Sequence, residues 1–235
     1  MTRTYDDPDH RDFARRPALV PAQPPEPAGP IDRDTINAYV DEIMQGSWDL
    51  AWQAAIPVRF RNASLGALPR EVRDPCHRWA EAWAHDSPEA GALLLIGPVG
   101  TGKTYAAVAT AREYEVPLFV PVVELLDALR PGGDLSTITR GDITVSAGPI
   151  GMQRFPVGVE TGLVILDDLG AERPTEWTAE RLYAIVNRRW MDQQPTIVTA
   201  NTTPEKMAEA FGPRIYSRLV HNATVVRVGG EDRRR

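Results

Sequence analysis

Residues 92–115, ALLLIGPVGTGKTYAAVATAREYE, decide the fold. Five apolar residues in succession, too short for a helix and without polar alternation, have the pattern of a strand covered on both faces. The turn that follows, GPVGTGKT from Gly97 to Thr104, satisfies G-x-x-x-x-G-K-[ST] and lies between a strand and the helix that it opens, where the pattern has physical meaning. Gly97, Gly100 and Gly102 let the backbone bend so that successive N–H groups converge, and the helix start adds partial positive charge. Pro98, Val99 and Thr101 complete this cradle and Tyr105 opens the helix behind it. The expected occupant is a triphosphate, with Lys103 as the compact cation at its β and γ groups and the Thr104 hydroxyl as a ligand for Mg2+. The bland alternative is a plain glycine turn. Against it, Lys103 is one of only two lysines in the chain, the other being Lys206.

Outward from this stretch, short apolar runs alternate with helical patterns: PLFVPV then ELLDALR, LVIL then TEWTAERLYAIVNRRWM, TIVTAN then PEKMAEAF, and finally TVVRV. Such alternation predicts an α/β fold, a parallel sheet flanked by helices. Residues 131–161 interrupt it, being rich in Gly, Thr and Ser, with DITVSA as a candidate hairpin strand. Residues 1–30 hold seven prolines and little apolar periodicity and read as a disordered tail. Residues 31–55 read as a helical extension, with Asp34 as its cap and Ile36, Tyr39, Val40, Ile43, Trp48 and Trp52 on one side. After an irregular connector, Asp74 and Pro75 look like the cap and first turn of a helix carrying Cys76, Trp79 and Trp83. The main domain is expected over 56–230, with a short basic tail at 231–235.

A net charge of −6 over 235 residues argues against binding nucleic acid by bulk electrostatics, so any such contact must be local. A single cysteine, Cys76, excludes an internal disulfide and lacks the spacing of a zinc site. With no apolar run of membrane length and no signal-like start, the expected location is the cytoplasm, without membrane contact.

A metal held by Thr104 needs a second oxygen ligand. LVILDDLG supplies it by delivering Asp167 at the end of an apolar strand, with Asp168 next to it to orient or deprotonate an attacking water. A third strand, TIVTAN, ends in Asn201, whose amide suits a γ-phosphate or water sensor, although Asn is also an ordinary turn former. In GPRIYSRLV, Arg214 and Arg218 fall one helical turn apart. They read either as arginine fingers for a neighbouring subunit or as a solvated basic face.

Taken in order, GPVGTGKT, LDDLGAERPTEW, NRRW, PTIVTANT and GPRIYSRL resemble the DnaC/DnaI-type replicative helicase loaders of bacteria and phages, and their relatives the IstB transposition ATPases. The resemblance runs from about Ile56, through the lead-in IPVRFRNASL, to the end of the chain. It implies an AAA+ P-loop core without a C-terminal helical lid, with ATP and Mg2+ as cofactors, while the short reach of Asp168, where most AAA+ proteins have glutamate, predicts slow hydrolysis unless assembly or a partner completes the site. Arg218 matches the family's finger arginine; Arg233 is a weaker candidate for a further phosphate contact. The implied role is loading a DnaB-type helicase onto single-stranded DNA as a homo-oligomer in the ATP state. The alternatives are an IstB-like transposition helper and an ATP-binding scaffold with negligible hydrolysis. No cysteine-rich zinc module is visible ahead of the core, so the helicase contact falls by elimination on residues 32–54, which could equally pack on their own domain. The resemblance implies DNA contact in 131–161, with Arg130, Arg140, Arg154 and Phe155 as the phosphate and stacking groups, although the stretch could equally be a passive surface excursion.

Overall fold

Leu93 and Leu95 cannot face the same way as Leu94 and Ile96, because strand side chains alternate, so an all-apolar strand needs cover on two sides. The computed structural model supplies both covers. It describes residues 46, 48–85, 87, 90–130, 132, 147–150, 153–156, 162–171, 175–202, 204–230 and 232, all within the unit Met44–Arg235. The tail at 1–30 and most of the 31–55 extension lie outside them.

The described chain runs α1 (48–55), two 3-10 turns (Val58–Phe60 and Leu65–Ala67), α2 (Arg70–Ala84), β1 (Leu93–Ile96), α3 (Lys103–Arg112), β2 (Leu118–Pro121) and α4 (Val122–Leu129). There follow β3 (Ala147–Ile150), β4 (Gln153–Pro156), β5 (Val164–Leu169), α5 (Glu176–Met191), β6 (Thr196–Ala200), α6 (Pro204–Phe211), α7 (Pro213–Val220) and β7 (Thr224–Arg227). Five strands make one sheet in the order β2-β5-β6-β1-β7, and every pairing in it is parallel. Leu94, Ile96, Leu166 and Val198 pack against Leu125, Leu182, Ile185 and Leu219 of α4, α5 and α7 on one side. Leu93, Leu95, Ile165 and Ile197 pack against Trp52, Trp79 and the alanines of α3 on the other.

Helix α2 starts earlier than Asp74–Pro75 suggested. It opens at Arg70, with Pro75 inside it, and Val72, Cys76, Trp79 and Ala80 form its buried stripe. Burial of Val72 favours the extra turn, and the Asp74 carboxylate binds Arg70 and Arg73 at 3.0 and 3.2 Å instead of capping a helix end. At the other end of α2, Trp79 and Trp83 both donate their indole N–H to the Gly91 carbonyl, at 2.8 and 3.2 Å.

Where described, α1 packs inward. Trp52 is 3% exposed, stacks on Trp48 with ring centroids 5.0 Å apart, and donates to the Arg61 carbonyl at 3.0 Å. For Trp48 and Trp52, packing on their own domain is therefore the outcome. In the 131–161 stretch a hairpin pairs β3 with β4, with Gly148 opposite Phe155 and Pro149 opposite Arg154, while DITVSA (142–147) lies outside the described residues except for Ala147. Arg140 lies outside the described residues, whereas Arg130 is engaged within the chain, paired with Asp127 at 3.2 Å and lying over Trp177.

Candidate nucleotide site

The carboxyl ends of β1, β5 and β6 meet at one edge of the sheet, which is where open α/β folds place ligands. From β1 the chain enters the glycine turn. Val228 N–H donates to the Ile96 carbonyl at 2.8 Å, which brings the chain after β7 so close that a Cβ on Gly97 would overlap the Val228 carbonyl. Gly102 caps α3 in the left-handed region, at φ 97°. Lys103 is 6% exposed and its ammonium donates to the Pro98 carbonyl at 2.7 Å, curling the side chain back over the loop. A Cβ on Gly100 would meet the Asp232 carboxylate, so an acidic group sits against the cradle.

Strand β5 brings the carboxylates. Its register against β6 shifts between Leu166 and Leu169: three steps along β5 match the two from Val198 to Ala200, so β5 carries one extra residue at Asp167–Asp168. Such a bulge re-aims side chains at a strand end. Asp168 takes φ 60°, an uncommon value for a residue with a Cβ, and its N–H donates to Thr199 Oγ1 at 2.8 Å. Thr199 Oγ1 in turn donates to Asp167 Oδ1 at 2.7 Å, and Thr104 Oγ1 donates to the same oxygen at 2.9 Å. Asn201 Nδ2 donates to Asp168 Oδ1. Thr104, Asp167, Thr199, Asp168 and Asn201 thus form one hydrogen-bonded chain across three elements. Burial pushes the Asp167 carboxyl above the usual carboxylate range, and the nearby Asp168 adds to this, while the two threonine hydroxyls and Lys103 oppose it.

These groups line a cavity of about 500 Å³ whose far wall is Arg59, Phe60 and Ala67 of the connector. That is an ordinary size for a small-molecule site. Tyr105 fastens this wall, because its phenol oxygen accepts from the Ser64 N–H at 3.2 Å. A hydroxyl and a carboxylate in contact form a hard-oxygen pair that fits Mg2+, an ion that takes one or two protein oxygens and leaves its remaining positions to water and phosphate.

With that geometry in hand, the match of residues 83–235 to the family described as IstB-like ATP binding protein is decisive. The chain belongs to the IstB-like ATP-binding family. It is 26% identical over 132 residues to the phage-like element PBSX protein XkdC of Bacillus subtilis (strain 168), over 53% of this chain and 46% of that protein. To the replicative helicase loader DnaI of the same strain it is 27% identical over 163 residues, over 60% of this chain and 47% of that protein. The chain thus spans less than half the length of either relative. Its fold matches the crystal structure of the DnaC helicase loader with a TM-score of 0.56 and 20% identity, over 74% of this chain and 100% of that one. It matches that of DnaI with a TM-score of 0.58 and 24% identity, over 76% and 94%.

In this IstB-like chain, Gly100, Gly102, Lys103, Thr104, Tyr105, Asp167, Asp168 and Asn201 all line the one cavity. Arg214 and Arg218 do not. Arg218 lines a second cavity together with Ala92, Thr196 and Asn222, at the amino ends of β1, β6 and β7. A strand of four residues separates the two ends of the sheet by about 13 Å. Sequence reasoning passed over Arg59, Phe60, Ala67 and Thr199. Thr199 was open to discovery as a polar residue one step before the carboxyl end of a fully buried strand. The connector residues carry no periodic signal at all.

Proposed function

We propose that the chain binds and hydrolyses ATP and uses the bound state to load a ring-shaped replicative helicase onto single-stranded DNA. The observation that carries the ATP part is the hydrogen-bonded chain from Thr104 through Asp167 and Thr199 to Asp168 and Asn201, spanning the cavity beside Lys103. The helicase part is supported by likeness to a protein named as a replicative helicase loader.

In this reading the loop amides and Lys103 take up the phosphate charge once Lys103 exchanges the Pro98 carbonyl for phosphate oxygen. Thr104 and Asp167 hold Mg2+, which supplies charge neutralisation on the transferred phosphoryl group. Asp168 accepts a proton from the attacking water, and the Asn201 amide, already on Asp168, fixes the carboxylate and leaves an N–H for the water or the γ-phosphate. Arg218 cannot serve the nucleotide of its own subunit across the sheet. It serves the nucleotide of a neighbouring copy, so hydrolysis depends on assembly and release of phosphate loosens it.

The family match also favours a second reading, an IstB-like transposition helper with the same ATP site, assembled on duplex DNA. ATP turnover with and without the cognate replicative helicase, and with single-stranded against duplex DNA, tests the proposal. Stimulation by helicase and single strands supports the loader; stimulation by duplex alone transfers the chain to the second reading. Lys103→Ala should abolish ATP binding with the fold intact, and unchanged affinity in calorimetry would contradict the site.

A further inference from the structure

Arg218 is held in an unusual way. On α5, Tyr183, Asn187 and Trp190 stand at i, i+4 and i+7 and share one face. The Arg218 guanidinium lies over the Tyr183 ring at 5.0 Å and over the Trp190 ring at 5.4 Å. Its Nε donates to Asn187 Oδ1, and its Nη1 donates to the Arg214 carbonyl at 3.1 Å. The Asn187 amide is itself oriented, since its Nδ2 donates to Met191 Sδ at 3.4 Å. Trp190 is braced edge-on by His221 at 5.6 Å.

All of these partners are neutral. Among the described residues no carboxylate forms an ion pair with Arg218. Two rings, an amide and a carbonyl fix the guanidinium plane without neutralising it, and Nη2 makes no hydrogen bond among the described residues. The charge and the Nη2 N–H groups therefore stay available to an anion.

We infer that Asn187, with Tyr183 and Trp190 as its ring walls, is the positioning residue that presents Arg218 to the triphosphate of a neighbouring copy. This rests on the proposed role of Arg218 between subunits. Asn187 touches no nucleotide. It sets the angle of the guanidinium, and a misplacement of about 1 Å in a group of this kind lowers a rate by about a hundredfold.

Mixed assemblies of the full chain test the inference. One subunit carries Arg218→Ala and an intact cradle; the other carries Asp168→Asn and an intact Arg218, so turnover arises only where the second lends its arginine to the first. Recovery of turnover on mixing supports the role between subunits, and silence overturns that role and the inference with it. Into the lending subunit Asn187→Leu is then added. The expected result is a fall in kcat of about 10- to 100-fold with KM for ATP unchanged, because the working cradle is untouched. Asn187→Gln, which keeps a neutral acceptor oxygen on a longer side chain, should recover part of it. If the Leu variant lends as well as its parent, the inference is overturned while the role of Arg218 stands. If Leu and Gln variants fail alike although sedimentation shows the assembly formed, the acceptor oxygen is not what positions Arg218, and the inference again falls.

Discussion

In the proposed role Asp167 has two conflicting tasks, since its carboxylate is partly shielded from water yet would have to be charged to hold a cation. Its folded pKa lies above the ordinary 3.8 because burial disfavours the charge. A raised carboxyl binds its proton more tightly in the folded chain than in the unfolded one. The nucleotide-free protein should therefore gain stability as pH falls through the raised value, and that gain is complete below the ordinary value. Mg2+-dependent ATP binding should weaken over the same interval, and calorimetry across pH checks this. Asp167→Asn separates the two tasks. Both threonine hydroxyls keep their acceptor, the buried charge disappears, and the melting temperature should rise by about 2–4 °C for each 1 kcal/mol recovered, while Mg2+-dependent turnover is lost. A second charge at this scale is Asp232, against Gly100. An extra negative charge within a few ångströms of bound phosphate opposes binding by an amount that depends on screening. Asp232→Asn should tighten ATP binding by about two- to fivefold at low salt, and high salt should remove the difference.

At the scale of elements, Arg189 ties α5 to the sheet. It is 2% exposed; its Nε donates to Thr196 Oγ1 at 2.8 Å, and its Nη2 to the Gly162 and Pro195 carbonyls at 2.7 Å each. One planar fork thus closes the amino ends of β5 and β6 against the last turn of α5. Burial lowers its pKa to about 9, which leaves it charged at neutral pH. A lysine offers a single nitrogen and cannot span these acceptors, so Arg189→Lys should destabilise the chain by about 2–4 kcal/mol in urea unfolding. This residue also shows where sequence reading stops. NRRW drew attention as part of a family pattern, but nothing in its spacing distinguishes exposed Arg188 from buried Arg189. Strands β1, β5 and β6 were legible because short, mostly apolar runs between helical patterns have one good explanation. The start of α2 was not, because Asp74–Pro75 has the local chemistry of a cap and only the burial of Val72 overrides it.

For the molecule as a whole, the cradle, Asp167 and Asn201 were legible as strand-end residues, each next to an apolar run that fixes its place. The fourth wall of the cavity was not, because Arg59, Phe60 and Ala67 reach it through turns whose path is set by distant contacts. Those contacts run through α1. Arg61 offers its carbonyl to Trp52 Nε1 at 3.0 Å and to Arg112 Nη1 at 3.3 Å, and returns its own Nε to the Ile56 carbonyl at 3.1 Å. Trp52, Ala55 and Ile56 are each buried in the core that includes α3. The chain cannot therefore be cut at residue 54 without opening the wall of the candidate nucleotide cavity. Cutting at the start of the unit Met44–Arg235 spares Trp48 and Trp52. A chain beginning at residue 44 should keep its ATP affinity and melt within a few degrees of the full chain, whereas one beginning at residue 56 should lose about 3–5 kcal/mol with the Trp52 packing and bind ATP weakly. If helicase capture disappears in the first and ATP binding survives, the contact lies in residues 1–43. If capture also survives, it lies on the folded unit itself, and the search moves to the exposed face of α5 and to β3–β4.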